Sequence, residues 1–382
     1  MNRRKFLVIT GSTAVILAAG GAGFALTRSQ TKALLPWRQA GTLYSDPIRH
    51  ALSYAILAPN PHNRQPWQVT LISETEAVLS CDLQRLLPAT DPYSRQIVIG
   101  LGCFLELFAL AAAANGYVAD ISAFPSGHDA EMLDGRPVAH LKLKKTADLK
   151  PDPLFAQALK RHTNREPYET DKEIPAQALA NMVAVAGQAV SVGTTNSGRL
   201  LSDLRILTKD ALQGEIKDPG AYQESVDLMR IGKAEIEANP DGIFLGGAFL
   251  ETLNIAGVLT RKTVADPTTS SFQIGLDMAA ESAMSSMGFV WLVTKGNSRL
   301  DQIEAGRSYL RVALQATTDG LVMQPMSQAL QEYPAMAGFY KTIHDQLTDG
   351  GPKRVQMLAR LGYAKDQGPA PRWPLASRLL SS

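Results

Sequence analysis

Two short polar stretches hold the residues best suited to chemistry: APNPHNRQPW, from Ala58 to Trp67, and ALKRHTNREPY, from Ala158 to Tyr168. In the second, Arg161, Thr163 and Arg165 put two cations and a hydroxyl on one tight segment, the donor-rich set that a phosphate dianion needs. A solvated basic helix end that complements a helix dipole is the commoner origin of such a run, so the local pattern alone leaves both readings open. His162 is also open: its backbone amide can cap an anion while its ring packs elsewhere. In the first stretch Pro59 and Pro61 forbid helical continuation, and Asn60 and Asn63 are turn residues whose amides can bond the polar edge of a ligand. His62 either touches that ligand or is a surface turn residue.

These turns need elements to hold them. Ser45-Asp46-Pro47 offers a cap and a first-turn proline, and Ile48, Ala51, Leu52, Ala55 and Ile56 follow at helical spacing, so a helix runs into the first turn. A strand at Gln68 to Ile72 leaves it, followed by a strand at Val78 to Leu83. A nearly all-apolar helix then spans Ile97 to Asn115, closed by Gly116, and is read as buried. Strands at Val118 to Ala123 and Val138 to Lys144 end this unit, with Lys142, Lys144 and Lys145 on a solvated face. A helix at Pro153 to Lys160 is expected to lead into the cationic turn.

Composition narrows the classes. With 382 residues, 45% hydrophobic and a net charge of +2, the chain is long enough for two domains or one duplicated domain and offers no basic stripe for nucleic acid. Two cysteines and six scattered histidines give no metal-binding spacing, and Cys81 and Cys103, both in apolar runs, are read as buried thiols in preference to a bridge. The start, Asn2-Arg3-Arg4-Lys5-Phe6-Leu7 before an uncharged Gly/Ala-rich run to Leu26, resembles a twin-arginine export signal. Cleavage after Ala25 and an uncleaved membrane anchor both remain open.

The order of elements then repeats. At constant offset Ile99, Gly102, Ala109, Leu110, Ala112 and Gly116 match Ile303, Gly306, Ala313, Leu314, Ala316 and Gly320. Strands at Met287 to Thr294 and Val355 to Tyr363 flank the second copy, so a duplicated α+β unit with a pseudo-symmetric core is expected. Residues 1–30 form the signal or anchor, 40–150 the first repeat, and 151–382 the second. Between Lys209 and Gln273 lies an insertion with a helix expected at Ala221 to Glu237, a turn at Asn239 to Gly242 and the pair Gly246-Gly247. It is read as a lid.

Four motifs carry a family resemblance that covers nearly the whole chain after the signal. ALKRHTNREPYETDKEIPAQAL resembles the opening of FMN-dependent nitroreductases, whose R-[RH]-[ST]-x-[RK] turn binds the FMN phosphate. LAPNPHNRQPW resembles their second-helix motif. Gly320-Leu321 with Pro325, Met326, Ser327 and Gln328 resembles the loop whose backbone faces the flavin N5 edge. The segment from Arg360 to Leu375 resembles their closing strand, where an arginine, Arg372 here, completes the phosphate site. The chain departs from the pattern at Ala370, where some members carry lysine, at Asn60, where serine is usual, and at Ser327-Gln328, which replace an acidic-Gly pair.

The resemblance implies an α+β, nitroreductase-like fold of two fused repeats forming a pseudo-dimer, the single-chain Acg-like arrangement. It implies one FMN per chain, held by Arg161, His162, Thr163, Arg165, Pro59, Asn60, Asn63, Pro325, Met326, Ser327 and Arg372, with the flavin and no protein triad as the redox centre. The expected function is an exported, periplasmic oxidoreductase that reduces a nitroaromatic, quinone or activated alkene by hydride transfer. A quinol or redox protein is its expected donor, because free NAD(P)H is not expected outside the cytoplasm. FMN sequestration without turnover is the alternative, and a flavin-free structural protein is a third.

Overall fold

The computed structural model describes residues 30–380, so the signal segment lies outside the described residues. Helix α1 (Pro47–Ala55) starts where Asp46 accepts the Arg49 N–H at 2.9 Å, and it buries Ile48, Ala51, Leu52 and Ala55 along one face. Strands β1 (Trp67–Ser73) and β2 (Glu76–Cys81) follow, then helix α2 (Arg95–Ala114), β3 (Tyr117–Ala123) and β4 (Ala139–Lys145). After β5 (Ser191–Thr195) come α3 (Gly198–Lys217), α4 (Pro219–Asp227), β6 (Met229–Ile231), α5 (Gly232–Ala238), β7 (Ile243–Leu245), α6 (Ala248–Ile255) and α7 (Ser270–Met284). Strand β8 (Gly288–Thr294), helix α8 (Arg299–Thr318), β9 (Val322–Pro325), β10 (Arg354–Gly362) and β11 (Leu379–Leu380) finish the chain.

The strands form an α+β architecture with two main sheets, ordered β11-β1-β2-β4-β3 and β5-β8-β10-β9, and a parallel β6-β7 pair. Strand β11, at the far end of the sequence, joins the first sheet parallel to β1. Thus the last residues of the chain close the sheet that holds the first turn.

Helices α2 and α8 form the most extensive contact between any two elements. They cross where neither has a side chain: a Cβ on Gly102 would strike the Ile303 carbonyl and the Gly306 Cα, and one on Gly306 would strike the Ile99 carbonyl and the Gly102 Cα. The contact is reciprocal and uses residues that the sequence offset pairs, which is how a two-fold interface is built. Glu106 interrupts the apolar surface of α2 and is bridged by Arg307 (3.0 Å) and Arg311 (2.9 Å) of α8. This pairing lets a long apolar helix carry a buried carboxylate.

Two expectations need correction. The helix expected at Ala221 to Glu237 is broken into α4 and α5, because Gly232 takes φ 80° and Met229–Ile231 pair with β7 instead of continuing the helix. The helix expected at Pro153 to Lys160 is a short 3₁₀ segment, Pro153–Gln157, capped by Asp152. It ends early because the chain must straighten for Thr163 to bridge Met323. Cys81 and Cys103 are both buried free thiols, and Cys103 donates to the Gly306 carbonyl at 3.1 Å.

Candidate anion and cofactor site

The first turn is the most strained part of the described backbone. His62, Asn63 and Gln65 sit at φ 45°, 51° and 50°, a left-handed region that non-glycine residues enter at a cost of about 1–3 kcal/mol each. Arg372 holds this conformation. Its Nε donates to the Ile56 carbonyl (3.1 Å), Nη1 to Asn63 Oδ1 (2.6 Å) and the Pro371 carbonyl (2.9 Å), and Nη2 to the Leu57 and Ala58 carbonyls (3.1 Å each). These bonds satisfy the carbonyls left open past the end of α1 and use all five guanidinium N–H groups.

The roles expected for Arg372, Asn63 and Asn60 are therefore corrected. Arg372 has no N–H left for a phosphate. Asn63 spends its amide on Arg372 and on the Pro371 carbonyl (3.0 Å). Asn60 accepts from the Gln65 N–H (2.7 Å) and donates to the Ala58 carbonyl (3.1 Å), folding its side chain back into the turn. Pro59 is partly exposed beside them, and α2 approaches closely enough that a Cβ on Gly100 would lie 3.1 Å from Asn60 Cβ. The three polar side chains build the turn and do not face outward from it.

The second turn has the opposite character. Arg161 is 6% exposed, yet among the described residues its guanidinium has no hydrogen bond and no carboxylate. Burial lowers its pKa, and the groups that would offset this are Tyr309 of α8 and Cys103 of α2, so the cation lies at the seam of the two central helices. Arg165 has no side-chain partner among the described residues either, and desolvation lowers its pKa although it keeps an open surface. It faces the first turn: burial, then the charges of Arg165 and Arg64, push His62 down to about 4 and keep its ring neutral.

His62 Nδ1 and His162 Nε2 are both buried with no hydrogen-bond partner among the described residues. The other His162 nitrogen meets Asp366 Oδ1 at 3.2 Å, and its ring stands edge-on to Trp37. Burial is the main cause of its lowered pKa. Thr163 and Asn164 are fixed by β9, Thr163 through its bridge to Met323 and Asn164 through its N–H to the Met323 carbonyl (3.0 Å). Two guanidinium groups with no hydrogen-bond partner among the described residues thus share one short turn with Thr163, His62 feels the charge of Arg165, and the carboxylate that meets this set, Asp366, bonds His162. Such a set suits an anion with further polar edges.

Strand β9 carries the chain from this turn to the third motif. Pro325 pairs with Ala359, but Met326 is corrected: its N–H bonds the Leu358 carbonyl (2.8 Å) and its side chain packs in a core with Leu204, Phe289 and Leu330. Ser327 opens a 3₁₀ turn, Ser327–Leu330, whose first N–H groups have no acceptor within the turn.

Sequence reasoning missed several residues here. Arg360, fully buried in β10, stacks 3.7 Å from the Tyr168 ring and bonds Gln324 (2.7 Å) and the Ser282 and Glu166 carbonyls (2.8 Å each). An arginine inside an apolar strand was the available signal. Glu215 of α3 is also buried, bonded by Gln331, and desolvation raises its carboxyl to about 7.

The insertion is fastened to the first turn. Gln65 Nε2 donates to the Pro240 carbonyl (2.7 Å), and the Gly242 N–H to the Asn63 carbonyl (3.3 Å). Asp241 between them accepts from Arg85 (2.5 Å), Arg230 (2.9 Å) and Trp373 Nε1 (3.3 Å). An open groove of about 450 Å³ lined by Gln68, Ser80 to Gln84, Gly135 and Leu380 shares no residue with this site.

Comparison with known proteins finds relatives described as nitroreductases. "Putative NAD(P)H nitroreductase acg" of Mycobacterium tuberculosis is 39% identical over 85 residues, 22% of this chain and 25% of that protein. A second Mycobacterium tuberculosis protein with the same description is 24% identical over 333 residues, 84% of this chain and 86% of that protein. The likeness is to nitroreductases. The match to the first of these relatives spans about a quarter of its length. "Probable NAD(P)H nitroreductase PigM" of Serratia is 26% identical over 212 residues, 54% of this chain and 57% of the relative. Among solved structures, the FMN-dependent nitroreductase NfnB of Mycobacterium smegmatis in complex with NADPH overlaps 58% of this chain and 95% of its own, with a TM-score of 0.36 and 16% identity. No family model matches.

Proposed function

We propose that this chain is an exported FMN-dependent oxidoreductase of nitroreductase type, built from two fused repeats, that reduces an electron-poor acceptor such as a nitroaromatic, quinone or activated alkene. The observation that carries the reading is Arg161, a buried cation without an anion among the described residues, on the same turn as Arg165 and the open nitrogen of His162 and within reach of His62. These residues fit a phosphate monoester better than an uncharged ligand, since a buried cation is costly until paired.

FMN, when bound, would supply the two-electron chemistry through hydride transfer. Arg161, Arg165 and Thr163 would hold its phosphate, and the N–H groups that open the Ser327 turn would face its polar edge. The Arg372-bound turn contributes rigidity, which positions His62 without adding donors of its own. The twin arginines and the apolar run to Leu26 support export to the periplasm, cleaved or tethered, where a quinol or redox protein replaces free NAD(P)H as donor.

The test is titration of the cofactor-free chain with FMN and with riboflavin, which lacks the phosphate. FMN should bind on the order of 10²-fold more tightly, the worth of charge-assisted hydrogen bonds to one phosphate. Equal affinities would overturn the phosphate site. An anaerobic spectrum then separates the two functional readings: flavin bleached by dithionite and restored by a quinone or nitroaromatic supports the enzyme, and bound flavin that no acceptor reoxidises supports sequestration.

A further inference from the structure

A second polar cluster gathers at the turn Ser327–Leu330. Glu215 of α3 is 6% exposed, and each of its carboxyl oxygens is taken by a side-chain amide, Oε1 by Gln328 Nε2 at 3.5 Å and Oε2 by Gln331 Nε2. Gln328 is the second residue of the turn and Gln331 follows its last, with the Gln331 N–H bonded to the Gln328 carbonyl (3.3 Å). One carboxyl thus grips the turn at both ends. The other half of each amide is unused: Gln328 Oε1, Gln331 Oε1 and the Tyr333 hydroxyl are all buried with no hydrogen-bond partner among the described residues. Gln331 is 2% exposed, so bulk water does not pair its oxygen, and a buried amide oxygen left unpaired is costly.

A proton on Glu215 resolves the mismatch. As a carboxylate the group only accepts, and both amides must turn their N–H sides to it. Protonated, it also donates, and an amide that rotates by half a turn accepts that proton at Oε1. Burial favours the proton most, the two amide N–H groups oppose it, and Glu224 and Asp218 of α4 favour it again. Glu224 is itself held by the Ala89 and Thr90 N–H groups (2.8 and 3.1 Å), and Asp218 by the Ala221 N–H (2.9 Å). The Tyr333 pKa is raised by burial and by the same three carboxyls, so its ring stays a neutral phenol. From the other elements packed on α3, Phe339 and Met336 face Gly214 with apolar side chains, Asp277 and Glu281 of α7 are exposed, and β8 holds no ionisable residue. Glu332, beside Gln331, is paired with Arg95 (3.1 Å). In the helix Ala337–Leu347, Lys341 and Asp345 pair with each other, and His344 sits between the Tyr340 carbonyl (2.8 Å) and the Val355 N–H (3.1 Å).

The turn continues the strand that holds the anion site. Met323 of β9 bridges Thr163 and accepts the Asn164 N–H (3.0 Å), and the chain passes through Pro325 and Met326 directly into the turn. We propose that Glu215 is a positioning residue for the anion site: by gaining or losing one proton it exchanges the amide faces it binds, moves the turn Ser327–Leu330 between two hydrogen-bonded seats, and so changes through β9 how tightly the Arg161 turn holds its anion. The proposal rests on the FMN reading for the identity of that anion alone. By reciprocity, filling the anion site shifts the Glu215 proton equilibrium by the same factor.

The experiment follows the proton, the amides and the anion on the full chain. Infrared spectra across the neutral range should show the carbonyl band of a buried carboxylic acid that fades as pH rises and that Glu215→Gln removes. Isotopic labelling of the glutamate carboxyl carbon shifts this band and not that of Asp91, which burial also raises, so the assignment stands even if the variant does not fold. A wild-type chain with no such band overturns the proposal. With the glutamine amide nitrogens labelled, the Gln328 or Gln331 magnetic-resonance signal of the wild type, assigned by Gln328→Met and Gln331→Met, should shift at the midpoint of the band. Amide signals that stay constant through that midpoint overturn the exchange of faces and leave the open oxygens to fixed water. The dissociation constant for FMN is then measured across the same range in wild type and Glu215→Gln. Ionisation of the phosphate itself is common to both proteins and cancels in their ratio, which should change about 5-fold or more through the midpoint. A constant ratio overturns the coupling to the anion site. Absence of FMN binding at every pH sinks the cofactor reading instead, and the same ratio taken with inorganic phosphate then decides the proposal.

Discussion

Arg161 and Arg372 are two buried guanidinium groups close enough that Arg161, after burial, helps to push Arg372 down to about 9. The protein treats them oppositely. Arg372 gives every N–H to the chain and closes a strained turn, whereas Arg161 gives none among the described residues. The first is the cost of holding an unusual backbone; the second is an unfilled demand for an anion. A buried cation is therefore diagnostic of binding only after its hydrogen bonds have been traced.

Arg372→Ala tests the comparison most severely. It strips the guanidinium donors from the Ile56, Leu57 and Ala58 carbonyls and from Asn63 Oδ1, and it should lower the stability of the cofactor-free chain by roughly 3–5 kcal/mol in urea denaturation. Arg161→Ala should do the reverse: stability without cofactor holds or rises, and calorimetric affinity for FMN falls on the order of 10- to 10²-fold, corresponding to about 1.5–3 kcal/mol. If the two variants lost stability equally, the distinction between them would be wrong.

Glu215 sharpens the comparison with the opposite sign of charge. Its carboxyl is raised from 4.5 to about 7 by burial, so between those values the folded chain binds more protons than the unfolded one and stability falls as pH rises. Glu215→Gln should remove up to about 3 kcal/mol of that slope between the two pKa values, measured by urea midpoints across the range. The smallest effect belongs to the strap. Asp241→Asn weakens three bonds to Arg85, Arg230 and Trp373, and should cost about 1 kcal/mol, with faster hydrogen exchange at residues 239–242 and at Asn63 to Gln65.

Elements governed by local pattern were legible in the sequence. The apolar face of α1, its Asp46-Pro47 start and the all-apolar α2 follow from spacing and caps, and the offset between α2 and α8 pointed to the glycines that meet. The Arg161 turn was legible as cationic, but not as unpaired, since that depends on what the rest of the fold fails to bring near it. Arg372 was assigned the wrong task for the same reason. All but one of its acceptors lie more than 300 residues earlier and reach it only because the C-terminal segment returns to the first sheet. Met326 was misplaced because a strand's period decides which side chain enters the core, and a one-residue shift reverses the answer. The break between α4 and α5 was hidden because the β6-β7 pairing that enforces it is absent from either helix's own pattern.

The glycine crossing of α2 and α8 has a kinetic meaning as well. A seam between separate molecules loosens when the solution is diluted, since its closure is second order in protein. Here residues 115–298 connect the two helices covalently, so closure is first order and independent of how many copies a compartment holds. A single molecule, alone in its compartment, can bring the Arg161 turn against the strained turn of Asn63 and keep it there.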